Sequence, residues 1–175
     1  CLKPLMYDEM LNLNGSKPRK LYKKLHAWLH DQNSSKLLNQ SKKAEELFRK
    51  VGITFNVYGD DKAEERLIPF DLIPRIIENS EWDFVKKGII QRLKAINLFL
   101  KDIYFDQKII KDGIIPSKLI NNNSAFKPQM CGFNPPGDIY IHVSGIDLIR
   151  TSKNNFYVLE DNLRVPSGSS YMIEN

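Results

Sequence analysis

The sequence predicts an α+β fold, with a helical N-terminal part and a long central helix packed on a mostly antiparallel sheet. Three observations carry this. Apolar residues recur at alternating steps of three and four from Trp82 to Ile103, which is the spacing of one helix face. The first fifty residues hold two shorter helix-like stretches rich in Lys and Leu. The last forty hold short β-branched runs separated by Asn, Ser, Gly and Pro, the signature of strands joined by turns. The parts divide as 1–52, basic and helical; 53–138, a strand and the long helix; and 139–175, a β-hairpin.

Residues 1–16 read as irregular, with Asn14-Gly15 as a turn signal. Lys17-Pro18 opens a first helix, because Pro is tolerated in the first turn. Its face is Leu21, Leu25, Trp28 and Leu29. Asn33-Ser-Ser interrupts it, and Ser34 or Ser35 is expected to cap a second helix that runs to about Lys50. Gly52 follows the last basic residues, as a helix C-terminus requires. Ile53 to Tyr58 is β-branched and aromatic, hence a strand. Arg66 to Phe70 suits a short edge strand, since Pro69 cannot donate to a ladder. Ser80-Glu-Trp-Asp83 resembles a capping box at the start of the long helix. Asp112-Gly113 closes that region, and Ile114 to Leu119 starts a short helix. Ile139 to Val143, Ile146 to Arg150 and Tyr157 to Asn162 are three expected strands.

Composition limits what this chain can be. It has 175 residues, 42% hydrophobic and 27% charged, which suits a globular domain with a core of its own. No apolar run reaches the length of a membrane span, and the start lacks the apolar block of a signal peptide. Two cysteines, Cys1 and Cys131, form neither a disulfide framework nor a zinc site. A cytoplasmic location is expected. The net charge of +5 is uneven: residues 1–50 hold eleven Lys and Arg against five Asp and Glu. Without interleaved aromatics or a known nucleic-acid module, that excess reads as a solvated face that attracts an acidic ligand or partner. Nucleic-acid binding through residues 17–50 is the weaker reading.

The richest stretch is Tyr157-Val-Leu-Glu-Asp-Asn-Leu-Arg-Val-Pro-Ser-Gly-Ser-Ser170. A buried strand runs into an acidic, amide-rich exit and then a small-residue loop. Side chains alternate along a strand, so Glu160 and Asn162 share a side. Thr151 to Asn155 suits a hairpin loop. With the turn centred between Lys153 and Asn154, Asp147 falls opposite Glu160. Two carboxylates opposed across a ladder repel, and a divalent cation reverses the sign. Asp147, Glu160 and Asn162 are therefore candidate metal ligands. Their hard oxygens suit Mg²⁺, usually completed by phosphate oxygens. Arg164 lies just beyond, placed to meet phosphate. Ser167 and Gly168, in the run Ser167-Gly-Ser-Ser170, offer a hydroxyl and backbone N–H groups to phosphate, the alternative being a plain linker. The alternative is a solvated sheet edge, with Asn162 merely starting a turn. A register shift of one residue would turn Asp147 to the other face.

Other motifs fall away. His26 and His30 are spaced i, i+4, but Ala27 stands where a zinc protease helix has its general base. There is no phosphate-binding loop of the Walker type and no dinucleotide fingerprint. Cys131 has no nucleophile signature around it, so it reads as an inert thiol.

Taken together, several stretches resemble one family, the circularly permuted ATP-grasp proteins (type 2). They are Tyr7-Asp-Glu-Met10, Gly52-Ile-Thr-Phe-Asn-Val-Tyr-Gly59, Ile68-Pro-Phe-Asp-Leu-Ile-Pro-Arg-Ile-Ile77, Leu98-Phe-Leu-Lys-Asp-Ile-Tyr104, Asp112-Gly-Ile-Ile-Pro116, Tyr140 to Arg150, and Tyr157 to Gly168. The resemblance implies a partial ATP-grasp fold, with Mg²⁺ and ATP as cofactors. It gives Asp147, Glu160 and Asn162 metal roles; Arg164 and the Ser167-Gly168 turn match in sequence. The implied chemistry is carboxylate–amine ligation, in which a carboxylate attacks the γ-phosphate and an amine displaces phosphate from the acyl phosphate. The permuted branch is distantly similar to glutathionylspermidine synthase-like ligases. Its carboxylate and amine substrates here are unknown. In that branch the Glu-x-Asn strand comes early and the nucleotide-gripping parts follow. The expectation is thus an N-terminal portion of a longer ligase, inactive alone and prone to self-association through apolar surface left bare. The competing expectation is a non-catalytic partner-binding module derived from such a protein.

Overall fold

A computed structural model describes residues 7–11, 17–53, 67, 70–166 and 168–174. The expected turn at Asn14-Gly15 and nearly all of the expected strands at 53–58 and 66–70 lie outside the described residues, so neither strand is assessed.

A 3₁₀ turn at Lys20–Tyr22 leads into α1, Lys23–His30. Helix α2 spans Ser34–Val51. Its cap is Asn33 and not a serine: the Asn33 side chain accepts from Ser35 N at 2.9 Å. Amide and hydroxyl oxygens serve this role about equally, so composition alone does not choose between them. Gly52 closes the helix at φ 79°, the left-handed conformation that glycine adopts without a Cβ penalty. The basic residues of α2, Lys36, Lys42, Lys43, Arg49 and Lys50, are all exposed, in keeping with a solvated face.

Helix α3, Asn79–Tyr104, has 26 residues and is about 39 Å long at 1.5 Å per residue. It begins earlier than Ser80. Glu78 is the N-cap, and Glu81 completes a reciprocal capping box with it. Val85 and Ile103 of the expected stripe are buried, while Trp82 is 48% exposed. The chain then turns through α4, Lys108–Lys111, and α5, Ser117–Asn121. Asp102 accepts from Lys108 N at 2.9 Å and Ile109 N at 3.0 Å, so α3 caps α4 with one of its own side chains.

Strands β1, Gly145–Arg150, and β2, Phe156–Asn162, form a two-stranded antiparallel sheet. The expected third strand at Ile139 to Val143 does not form. Asn97 on α3 is the physical reason. Its Oδ1 accepts from Tyr140 N at 2.8 Å and Ile141 N at 3.2 Å, so backbone groups that would join a ladder are held by the helix. Tyr104 stacks on Phe126 and Tyr140, with centroids 5.2 and 6.2 Å apart, which fixes the same segment against the end of α3. A short helix α6, Ser169–Glu174, follows the hairpin.

A charge cluster joins three distant stretches. Glu81 on α3 receives both Arg19 and Arg150. Arg150 also approaches Glu9 at 3.6 Å, and Arg75 meets Glu9 at 3.2 Å. The Arg150 guanidinium lies 4.6 Å from the centroid of Phe156 and 5.2 Å from that of Tyr7. Its side chain is only 2% exposed. The N-terminal segment, α3 and the hairpin are therefore joined by paired charges, and the buried apolar residues among those described are Tyr22, Ile53, Val85 and Ile103.

Candidate functional site

The hairpin ladder pairs Asp147 with Glu160 and Gly145 with Asn162. Nearer the turn the register differs by one: Leu148 pairs with Val158, Ile149 with Tyr157 and Arg150 with Phe156. Leu159 is left without a partner, which makes it the extra residue of a β-bulge. A single register through the whole hairpin is therefore incorrect. The turn half follows one register and the site half the other.

The bulge has a large effect on which way side chains face. In an unbroken strand Phe156, Val158, Glu160 and Asn162 would all point the same way. Two apolar residues would then share a face with two polar ones. The bulge separates them. Phe156, Val158 and Asp161 face α3, whereas Glu160 and Asn162 face away from it. Burial agrees: alternation along β2 is broken at Leu159 and Glu160, two successive exposed residues. On β1, Leu148 and Arg150 face the helix and Asp147 faces away, exposed.

The outward face of the site half opens on a pocket of about 630 Å³, whose lining includes Gly145, Asp147, Glu160, Asn162, Pro166 and Gly168. Asn162 Nδ2 donates to Val165 O at 3.3 Å, which leaves Oδ1 as the atom available to a ligand. The loop then folds back, and Pro166 lies over Gly145. A Cβ on Gly145 would come within 2.7 Å of Pro166 Cβ, so the close approach requires glycine. Ser169 N and Oγ both donate to Pro166 O, at 3.3 and 3.0 Å.

Of the expected site residues, Asp147, Glu160, Asn162 and Gly168 converge on this one pocket. Arg164 is exposed on the bend that leaves β2 and does not line the pocket. Ser167 lies outside the described residues. Among the described residues no three His, Cys, Asp or Glu side chains group as a metal cage. The hairpin instead brings together two carboxylates and one amide oxygen. Such an all-oxygen set suits a hard cation that keeps other ligands, such as Mg²⁺. His30 lies 3.9 Å from Asp31 and is largely exposed, and Cys131 is an exposed free thiol.

Sequence reasoning did not single out Gly145, Pro166, Arg92 or Asp161. Arg92 grips Asp161 through Nε at 2.8 and 2.9 Å and through Nη2 at 2.5 Å. The bridge to Arg92 lowers the Asp161 pKa below its ordinary value, outweighing partial burial. One signal was present. Phe156 and Val158 have the same parity as Glu160 and Asn162, a conflict that only a bulge resolves.

An α+β unit with a long helix laid on an antiparallel hairpin, whose outer face gathers carboxylates beside a small-residue loop, describes the class. More narrowly, residues 74–175 match the family model of circularly permuted ATP-grasp type 2 proteins, and the chain belongs to that family. It is 43% identical over 169 residues to an uncharacterized protein of Synechocystis sp., covering 97% of this chain and 35% of that protein. An uncharacterized protein of Mycobacterium leprae is 45% identical over 171 residues, 98% of this chain and 30% of that one. A Frankia alni protein named "Putative glutamate--cysteine ligase 2-3" is 36% identical over 175 residues, 98% of this chain and 20% of its own length. The chain thus spans about a third or less of the length of these relatives. Among the described residues no helix is long and apolar enough to cross a membrane.

Proposed function

We propose that this chain supplies the metal-facing and phosphate-facing part of an ATP-dependent carboxylate–amine ligase of the ATP-grasp type. The observation that carries it is the pairing of Asp147 with Glu160, and of Gly145 with Asn162, over one pocket. Two carboxylates held face to face repel unless a cation lies between or above them. Family membership supports ATP as the phosphate donor. The name of the Frankia relative describes joining two amino acids, a reaction of the same carboxylate–amine class.

Asp147, Glu160 and Asn162 Oδ1 would hold Mg²⁺, which on binding offsets negative charge on phosphate oxygens. The ladder orients the two carboxylates, and the Asn162–Val165 hydrogen bond orients the amide. Gly168 would set backbone N–H groups at the pocket wall. Arg164 would contribute electrostatically only if a ligand draws it toward the pocket from its present place on the bend. The carboxylate and amine that react are not specified by these residues.

The test uses a protein that carries this chain at the length of its relatives. Asp147→Asn and Glu160→Gln should each abolish Mg-dependent ATP turnover. Unchanged turnover in both variants would sink the proposal. Binding to a protein partner with no ATP turnover in the unaltered protein would favour the partner-binding module instead.

A further inference from the structure

Helix α3 touches the hairpin with charge at two points. Glu81 meets Arg150 near the turn, and Arg92 meets Asp161 at the site end. Eleven residues separate Glu81 from Arg92, about three turns and roughly 16 Å. Both side chains therefore leave the same face of the helix. On the hairpin, Arg150 and Asp161 lie on opposite sides of the bulge, yet both face α3. The register change at Leu159 is thus bracketed by two ion pairs from a single helix.

An ion pair with a half-exposed arginine, 45% here, ordinarily adds little to stability. Its geometry gives it another use. The fork is bidentate, which fixes direction as well as distance, and its acceptor is the residue between Glu160 and Asn162. Pulling the Asp161 carboxylate toward α3 obliges its two neighbours to point away from the helix. Without that pull, β2 has a competing arrangement in which the turn-half register continues. Asp147 would then oppose Leu159, Ile146 would oppose Glu160, and Glu160 and Asn162 would turn toward α3.

We propose that Arg92 is a positioning residue: its bridge to Asp161 holds the site half of β2 in the register that turns Glu160 and Asn162 into the pocket. As a claim about metal binding, this rests on the reading of that pocket given above. As a claim about register it does not.

The experiment takes the 175-residue chain and its Arg92→Met, Arg92→Lys and Asp161→Asn variants. NMR cross-strand contacts report the register, and Mn²⁺ titration followed by paramagnetic broadening reports the site. The unaltered chain should show Asp147–Glu160 and Gly145–Asn162 contacts, with broadening centred on residues 145–147 and 160–162. Arg92→Met should replace them with Asp147–Leu159 and Ile146–Glu160 contacts, or lose both sets, and should weaken Mn²⁺ binding about 10-fold or more. Arg92→Lys, which keeps the charge but not the fork, should fall between. Should Arg92→Met fail to fold, Asp161→Asn carries the same expectation with no change in size. Retention of the native contacts and of Mn²⁺ affinity in a folded Arg92→Met or Asp161→Asn chain would overturn the proposal. If the unaltered chain binds no Mn²⁺, the metal-site reading fails, and the contact pattern still decides the role of Arg92.

Discussion

Replacing Arg150 by Met tests the charge cluster that joins the hairpin to the rest of the chain. The Arg150 side chain is 2% exposed and lies 2.5 Å from Glu81 Oε1. It donates to Ser152 O at 3.1 Å and also to Lys153 O. Met keeps most of the apolar stem, so what is lost is the guanidinium, with its ion pairs, its hydrogen bonds and its place over the Phe156 and Tyr7 rings. Breaking one partner out of a buried pair costs about 3–5 kcal/mol. Glu81 retains Arg19, Glu9 retains Arg75, and the two carboxylates keep 14% and 13% of their side-chain surface in water. The lower end, about 3 kcal/mol, is therefore expected. For a chain of this size that is a fall of roughly 6–12 °C in the thermal midpoint. Urea and thermal unfolding followed by circular dichroism would measure it. Glu81→Gln should also destabilise, because it leaves Arg19 and Arg150 facing one another. The double variant should cost less than the sum of the two by about 1–3 kcal/mol. A loss below about 1 kcal/mol for Arg150→Met, or strict additivity with Glu81→Gln, would refute the view that these charges act as one unit.

Three further outcomes are expected. Burial opposes ionisation of Glu81, but hydrogen bonds from Arg150 and the Glu78 backbone, with the charges of Arg19 and Arg150, hold its pKa below the ordinary value of 4.5. Its stabilisation is thus complete above that value and is lost as pH falls through the folded-state pKa. Urea midpoints taken from about pH 6 down to about pH 3 should fall less steeply in Glu81→Gln than in the unaltered chain. Gly145→Ala would drive a methyl group into Pro166; overpacking of this kind costs about 1–3 kcal/mol, and an unchanged urea midpoint would show that the loop gives way freely. Tyr22→Phe removes the hydroxyl that accepts from Ile76 N at 2.8 Å; with Tyr22 only 3% exposed, a loss of about 1 kcal/mol or more is expected by chemical denaturation.

The long helix was legible because its apolar period runs through more than twenty residues and no loop imitates that. Its first turn was not. A glutamate is a less favoured cap than the serine two residues later, and only the reciprocal Glu78–Glu81 bonds reveal the true start. The opposition of Asp147 and Glu160 was read from a turn centred between Lys153 and Asn154; the pairs beside the turn instead centre it on Lys153, and only the bulge at Leu159 restores the expected partners. The third strand was lost to a single side chain, Asn97, forty-three residues away from the amide it captures. No local pattern encodes that contact. Arg150 read as the polar end of an apolar run, although its parity with Ile146 and Leu148 placed it on their face. A charge on an inward face calls for a partner, but strand spacing does not say that the partner is Glu81.

Leu159 is a position that the ladder does not count. Its side chain is 68% exposed and it has no partner across the ladder. Most substitutions there should therefore be silent. Removing the residue should be tolerated for the same reason. A one-codon deletion would straighten the strand yet leave Asp147 opposite Glu160 and Gly145 opposite Asn162, because it takes out only the residue that has no place in the ladder. Genetic variation at this point should tolerate nearly any letter and a gap as well. The same property offers an inexpensive test of the bulge: shorten the chain by one exposed leucine, and every proposed ligand should keep its partner and its side of the sheet.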